Sequence, residues 1–221
     1  MHYDSVENRH GLKHDPFKAI VTPRPIGWIG SVSGAGVCNL APYSFFNAVS
    51  DRPHYVAFSS NGLKDSVRNV EETGEFTFSL STWDLRQGMN ISSAPVPADV
   101  DEFPVSNLTA AASHYVVPPR VKESPAALEC RFWKTVEMPD ADRAAGTGHY
   151  VVFGHVVGIY IDDAYIHDGI VDTGAMRPLA RLGYMDYASV SPETVFTLNR
   201  PLVAEDGTVS SPSGDWDGVY R

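Results

Sequence analysis

Within ten residues the chain gathers hydroxyl, ammonium and guanidinium groups: Ser59, Ser60, Lys64, Asp65, Ser66 and Arg68. Asn61-Gly62 between them is a turn dipeptide. In the following KDSVRNVEETG, Val67 and Val70 lie three apart, Asp65 or Ser66 suits the N-cap, and Gly74 stands where a helix would stop. A helix start there offers free backbone amides, the positive end of the dipole, hydroxyl donors and an ammonium, which together suit a terminal phosphate dianion. An ordinary capped helix carrying exposed Lys and Arg fits the same residues. The segment alone leaves both readings open.

Other candidate chemistry is weaker. GAGVCN at Gly34 begins like a dinucleotide fingerprint, but Asn39 replaces the third glycine and no helix pattern follows, so a hairpin is expected. There is no G-x-S-x-G nucleophile elbow. The eight histidines are scattered; His10 and His14 lack a carboxylate or cysteine partner at zinc spacing, and no metal site is expected. His155, inside an apolar strand, reads as a satisfied core residue or one facing a ligand, and His167 beside Asp168-Gly169 as a turn residue. Cys38 and Cys130 read as buried thiols.

The elements that must hold these residues are mostly strands. FKAIVTPRPIGWIGSVS carries Ile26 and Trp28 after Pro-Arg-Pro, and Gly34-Ala35-Gly36 turns the chain into VCNLAPYSFF. HYVAFSS is a third strand. EFTFSLS alternates Phe76, Phe78 and Leu80 with Thr77, Ser79 and Ser81, the pattern of a half-buried strand. LRQGMNISSA predicts a second short helix, and Pro95 to Val105 a long surface loop. LECRFWKTVEM and HYVVFGHVVGIYI predict long bent strands, joined through EMPDADRAAGTGH as an exposed hairpin connection. The end from Glu205 onward is turn-rich. Few and short helices favour a closed or nearly closed antiparallel barrel over alternating βαβ units.

Composition sets the frame. The 221 residues suit one large domain, with 43% hydrophobic and 20% charged residues, enough for a core without staples. A formal net charge of −10 disfavours nucleic acid as a partner, and any anion must be held by local donors against the global field. No apolar run of about eighteen residues and no N-terminal h-region occur, so a cytoplasmic protein without a membrane partner is expected.

Taken in order, TPRPIGWIGS, NLAPYSFFNAVS, the KDSVRN helix start, VPPRVKESPAALECRF and PLARLGYMDYA resemble the flavin-reductase-like FMN-binding family, which contains flavoredoxins and NAD(P)H:flavin oxidoreductases. The resemblance runs from about residue 17 to 200, leaving residues 1–16 as a polar N-terminal segment and 201–221 as a C-terminal extension. It implies a mostly β fold: an FMN-binding split β-barrel, Greek-key-like and antiparallel, with a few short helices, forming homodimers. It implies that Arg24-Pro25 and Ser44-Phe45 through Asn47 border the isoalloxazine and ribityl. Ser59, Ser60, Lys64, Asp65 and Ser66 would surround the phosphate, Asp65 through its amide or as a cap because its carboxylate would repel the dianion. The implied activity is NAD(P)H-dependent flavin reduction with transfer to a small molecule or protein; the alternatives are an electron carrier without NAD(P)H activity or a non-catalytic FMN module. No catalytic residue is assigned, because the flavin carries the chemistry. ARLGYMDYA departs from the usual glycine-rich version, with Tyr184-Met185-Asp186 where relatives have Gly-Gly. Arg181 and Tyr184 therefore touch flavin, cap the nicotinamide site or pack on the barrel end.

Overall fold

A computed structural model of the chain describes residues 1–139, 148–216 and 218–219. Seven antiparallel strands form the main sheet: β1 (Gly27–Val32), β2 (Cys38–Tyr43), β3 (Phe46–Asp51), β4 (His54–Asn61), β5 (Glu75–Leu80), β6 (Ala126–Glu137) and β7 (His149–Ile161). Their hydrogen-bonded order is β2-β1-β5-β6-β7-β4-β3. The two ends of that order, β2 and β3, are consecutive in sequence and separated only by Ser44-Phe45. Two residues span at most about 10 Å, so the sheet must curl until its edges meet. The seam is tight at Gly27, where a Cβ would lie 2.5 Å from Phe46 Cδ2; only glycine admits that ring, which stacks on Phe78 at 4.7 Å. Register shifts near Phe153/Gly154 and Val156/Gly158 bend the long β6–β7 pair, as bulges do. This is the mostly β split barrel that the sequence leads one to expect.

The interior holds Ile29, Phe58, Phe76, Cys130 and Val152, with Val67 and Val70 of helix α2 (Asp65–Thr73) packed among them. Helix α1 (Phe17–Ile20) precedes the barrel. A second cluster on the other side of β1 and β2 joins Trp28, Leu40, Met89, Phe103 and Val121, using helices α3 (Arg86–Ile91) and α4 (Glu102–Val105). Neighbouring residues of a strand face opposite ways, so Trp28 and Ile29, both 0% exposed, bury the two faces of β1 in different clusters. Each such side chain contributes about 1.5 to 3 kcal/mol.

Three local expectations change. The polar face of β5 is dry: Thr77 donates to the Pro119 carbonyl at 2.7 Å, and Ser79 accepts from the Val121 amide at 3.0 Å, because residues 110–121 cover it. Its short hydroxyl side chains serve as buried links, not as a wetted surface. Within Pro95 to Val105 lies α4, capped by Asp101, whose carboxylate accepts from Phe103 N at 2.8 Å, and Phe103 is 1% exposed. An aromatic anchor and an Asp cap outweigh the Pro and Asp content read as loop. The N-cap of α2 is Lys64, not Asp65 or Ser66, and it makes no side-chain cap bond, while Gly74 ends the helix at φ +77°.

Several other readings stand. The Gly34–Gly36 turn joins β1 and β2, α3 is the second short helix, and Asp168-Gly169 turns a two-residue ladder that ends at His167. His155 differs from its reading as a core or ligand-facing residue: it is half-buried, and its ring lies 5.0 Å from that of Tyr55, which in turn packs against the exposed Trp133. Cys130 is buried as expected and the pKa of its thiol is pushed up by desolvation, whereas Cys38, expected buried, is only half-buried at the start of β2, its pKa raised by burial and by Asp101 and Glu102. The middle of EMPDADRAAGTGH, residues 140–147, lies outside the described residues. Among the described residues no helix is long and apolar enough to cross a membrane.

Candidate functional site

The seam of the barrel is also the wall of a cleft. A cavity of about 1230 Å3 runs from the start of α2 past Asn39–Phe45 to Val151, with Ser92–Val96, Glu102, Met138 and His149 on its other sides. A second cavity of about 340 Å3 shares Ser44, Phe45, Ser59 and Val151 with it and adds Arg24, Pro25 and Asn47. Typical ligand sites measure about 300 to 1,000 Å3, so the pair has room for a sizeable ligand.

At the helix end, the strand β4, the Asn61-Gly62 turn and α2 place Ser59, Lys64, Asp65 and Ser66 on one wall. The first-turn amides of α2 face no side-chain cap. Asp65 is instead ion-paired with Arg68, which also donates to the Leu63 carbonyl. The paired guanidinium offsets the negative charge of Asp65 beside the helix start. Ser66 is 1% exposed and its hydroxyl accepts from Asn39 Nδ2 at 3.0 Å, while Asn39 and Asn69 both donate to Ser31 at 3.3 Å. Tyr43 is buried; burial pushes the pKa of its hydroxyl up, opposed by the neighbouring Ser66 and Ser60. Ser60 is fully buried and donates to the Gly62 carbonyl at 2.8 Å. Of the residues expected around a phosphate, Ser60 alone lines neither cavity; it shapes the turn from behind.

At the other end, Pro25, Asn47, Ser44 and Phe45 line the smaller cavity, with Phe45 41% exposed. Arg24 also lines it, but its guanidinium is committed elsewhere. It donates to the carbonyls of Lys18 at 2.5 Å, Val21, and Leu182 at 2.8 Å, and lies 5.7 Å from the centre of the Phe45 ring. Among the described residues its Nε has no hydrogen-bond partner. Desolvation, then the nearby Arg181, lower its pKa. Arg181 does not reach the cleft; it stacks on Tyr187 at 4.4 Å and donates to the Tyr184 carbonyl at 2.5 Å.

Residue reasoning missed part of the lining. Asn39, which counted against a dinucleotide fingerprint, is a buried donor at the cleft wall, and Tyr43 lies beside it. Glu102 is 7% exposed, accepts from Leu40 N at 3.0 Å, and has its pKa raised by burial and by Asp101 and Asp65. The NLAPYSFF segment held the signal for Asn39 and Tyr43; nothing local marks Glu102.

The family model for the flavin reductase like domain matches residues 20–180. An uncharacterized protein of Aquifex aeolicus is 35% identical over 170 residues, covering 74% of this chain and 83% of that one. Nitrilotriacetate monooxygenase component B from Bacillus cereus superposes with a TM-score of 0.75 at 26% identity, over 82% of this chain and 93% of that one. The 2-nitrobenzoate 2-nitroreductase NbaA of Pseudomonas fluorescens gives a TM-score of 0.78 at 23% identity, over 93% and 100%.

Proposed function

This chain belongs to the flavin reductase like domain family, and on that premise we propose that it binds FMN in the cleft and passes electrons from NAD(P)H to a small-molecule or protein acceptor. The single observation that carries the reading is the uncapped start of α2 opening into the larger cavity. Lys64 and the first amides of α2 would hold the phosphate, with Asp65 kept neutralised by Arg68. Ser59 would stand on the same wall, and Ser60 and Ser66 would brace Tyr43 behind it. Ala41, Pro42, Phe45 and Val151 offer an apolar surface for a planar ring, and amides from Ser44 to Asn47 are the candidates to stabilise negative charge on it. Arg24 supports this end by tying the segment around Lys18 and Val21 to the Leu182 loop. The residues present therefore fit the cofactor. Bound FMN supplies the hydride-accepting and electron-donating chemistry, and the protein supplies orientation.

Two structural neighbours named as a reductase and a monooxygenase component support an oxidoreductase role. A homodimer is part of the proposal: Trp133 stands 60% exposed on the barrel's outside beside Tyr55 and Phe153, an apolar surface suited to a second copy. The test is a visible spectrum of the purified protein followed by stopped-flow mixing with NADH or NADPH. Flavin absorbance that bleaches with either donor is the expected result. A coloured protein that bleaches with neither would be an electron carrier, and one that takes up no FMN would remove the proposal.

A further inference from the structure

A third cavity, of about 680 Å3, adjoins the cleft: Phe17 and Lys18 line both. Its walls come from two stretches far apart in sequence, the N-terminal segment with Tyr3 and His14, and the loop carrying Tyr184 and Met185. The loop thus gives one wall of this cavity an aromatic ring and a thioether.

Tyr184 sits at φ +53°, in the left-handed region that L-residues seldom adopt and that glycine takes freely. The loop holds it there through Leu182 N to Asp186 O at 2.9 Å, Asp186 N to Gly183 O at 3.0 Å, and the Arg181 bond to its carbonyl. An aromatic ring kept where glycine would be easier points to a use for the ring. That ring lies 5.7 Å from His14, tilted by 57°, and remains 51% exposed, so part of its surface is open to a ligand. Among the charged groups of this cavity, Asp15 already accepts from Phe17 N at 2.8 Å and Asn8 Nδ2 at 3.1 Å, which hold its pKa below the ordinary carboxylate value. Lys18 also acts on Asp15 through space, yet its ammonium is the group with donors to give at the junction of the two cavities.

We propose that this cavity is a binding site for planar aromatic carboxylates, the ring lying against Tyr184, His14 and Met185 and the carboxylate on Lys18 at the edge of the flavin cleft. The assignment deepens the flavin reading by giving the class of small molecule brought beside that cofactor, and it rests on that reading for the use made of the ligand.

Benzoate and its uncharged counterpart benzamide are the probes, titrated calorimetrically into the full chain with FMN titrated in parallel. Benzoate is expected to bind about tenfold or more tightly than benzamide, as one charge-assisted bond implies. Lys18→Gln should abolish that preference. Tyr184→Gly, which relieves the backbone while removing the ring, should weaken both probes about fivefold or more. With methyl-labelled methionine, bound benzoate should show an NOE to a methyl signal that Met185→Leu removes, a readout that needs no loss of fold. Equal affinity for the two probes, an unchanged Tyr184→Gly, or bound benzoate with no NOE to that methyl would overturn the proposal. FMN binding without this benzoate pattern sinks the cavity alone; the pattern without FMN binding sinks the flavin reading alone.

Discussion

The two ends of the cleft are built differently. The helix end is made from Ser59 through Arg68, ten consecutive residues whose turn, uncapped helix start and local ion pair are set by short-range chemistry. The ring end is assembled from afar: Arg24 reaches Leu182, 158 positions along, and Phe46 fits only because Gly27 has no side chain. The contrast teaches that a donor set for an anion can be a local property, whereas the surface for a ring is a property of the closed barrel.

That comparison can be broken at Arg24. Replacing it with Met strands three carbonyls and should cost about 2 to 4 kcal/mol of stability, read by chemical denaturation, with FMN affinity falling in step. A loss of FMN affinity without loss of stability would mean that Arg24 serves the ligand directly and that the ring end is local after all.

Lys64→Ala sharpens the other side. It should weaken FMN by about 1.5 to 3 kcal/mol, measured by fluorescence quenching, while stability stays within about 0.5 kcal/mol. Unchanged affinity would move the phosphate away from the start of α2.

The smallest effect concerns Glu102, which faces the helix end from α4. Its folded pKa is raised, so it binds its proton more tightly in the folded state than in the unfolded chain. Its contribution to stability is full below the unfolded value near 4.5 and is lost as pH rises through the raised folded value. The difference in Tm between wild type and Glu102→Gln should therefore shrink toward low pH and widen in favour of the glutamine as pH rises past that window. A difference that is flat with pH would show that Glu102 titrates alike in both states.

How much of this was legible follows the same division. Period-2 and turn patterns placed the strands, and KDSVRN placed the helix start, because both depend on neighbours in sequence. The dry polar face of β5 was not legible: only the segment at residues 110–121, folded over Thr77 and Ser79, makes it dry. Nor was the role of Arg24, since no spacing announces that its partners are the carbonyls of Lys18, Val21 and Leu182. Helix α4 was hidden by composition, although Asp101 two residues before Phe103 was its cap signal. Family resemblance named Ser60 as a phosphate neighbour, while its buried hydroxyl donates to the Gly62 carbonyl.

Ser44-Phe45 joins the two edges of the sheet and lines both cavities. Any fluctuation that parts β2 from β3 dissolves the wall of the cleft at the same moment. The lifetime of a bound ligand is then capped by the closed lifetime of the seam, and a ligand that touches both edges lengthens that lifetime by occupying it. Opening of the seam and release of the ligand are, at this link, one process.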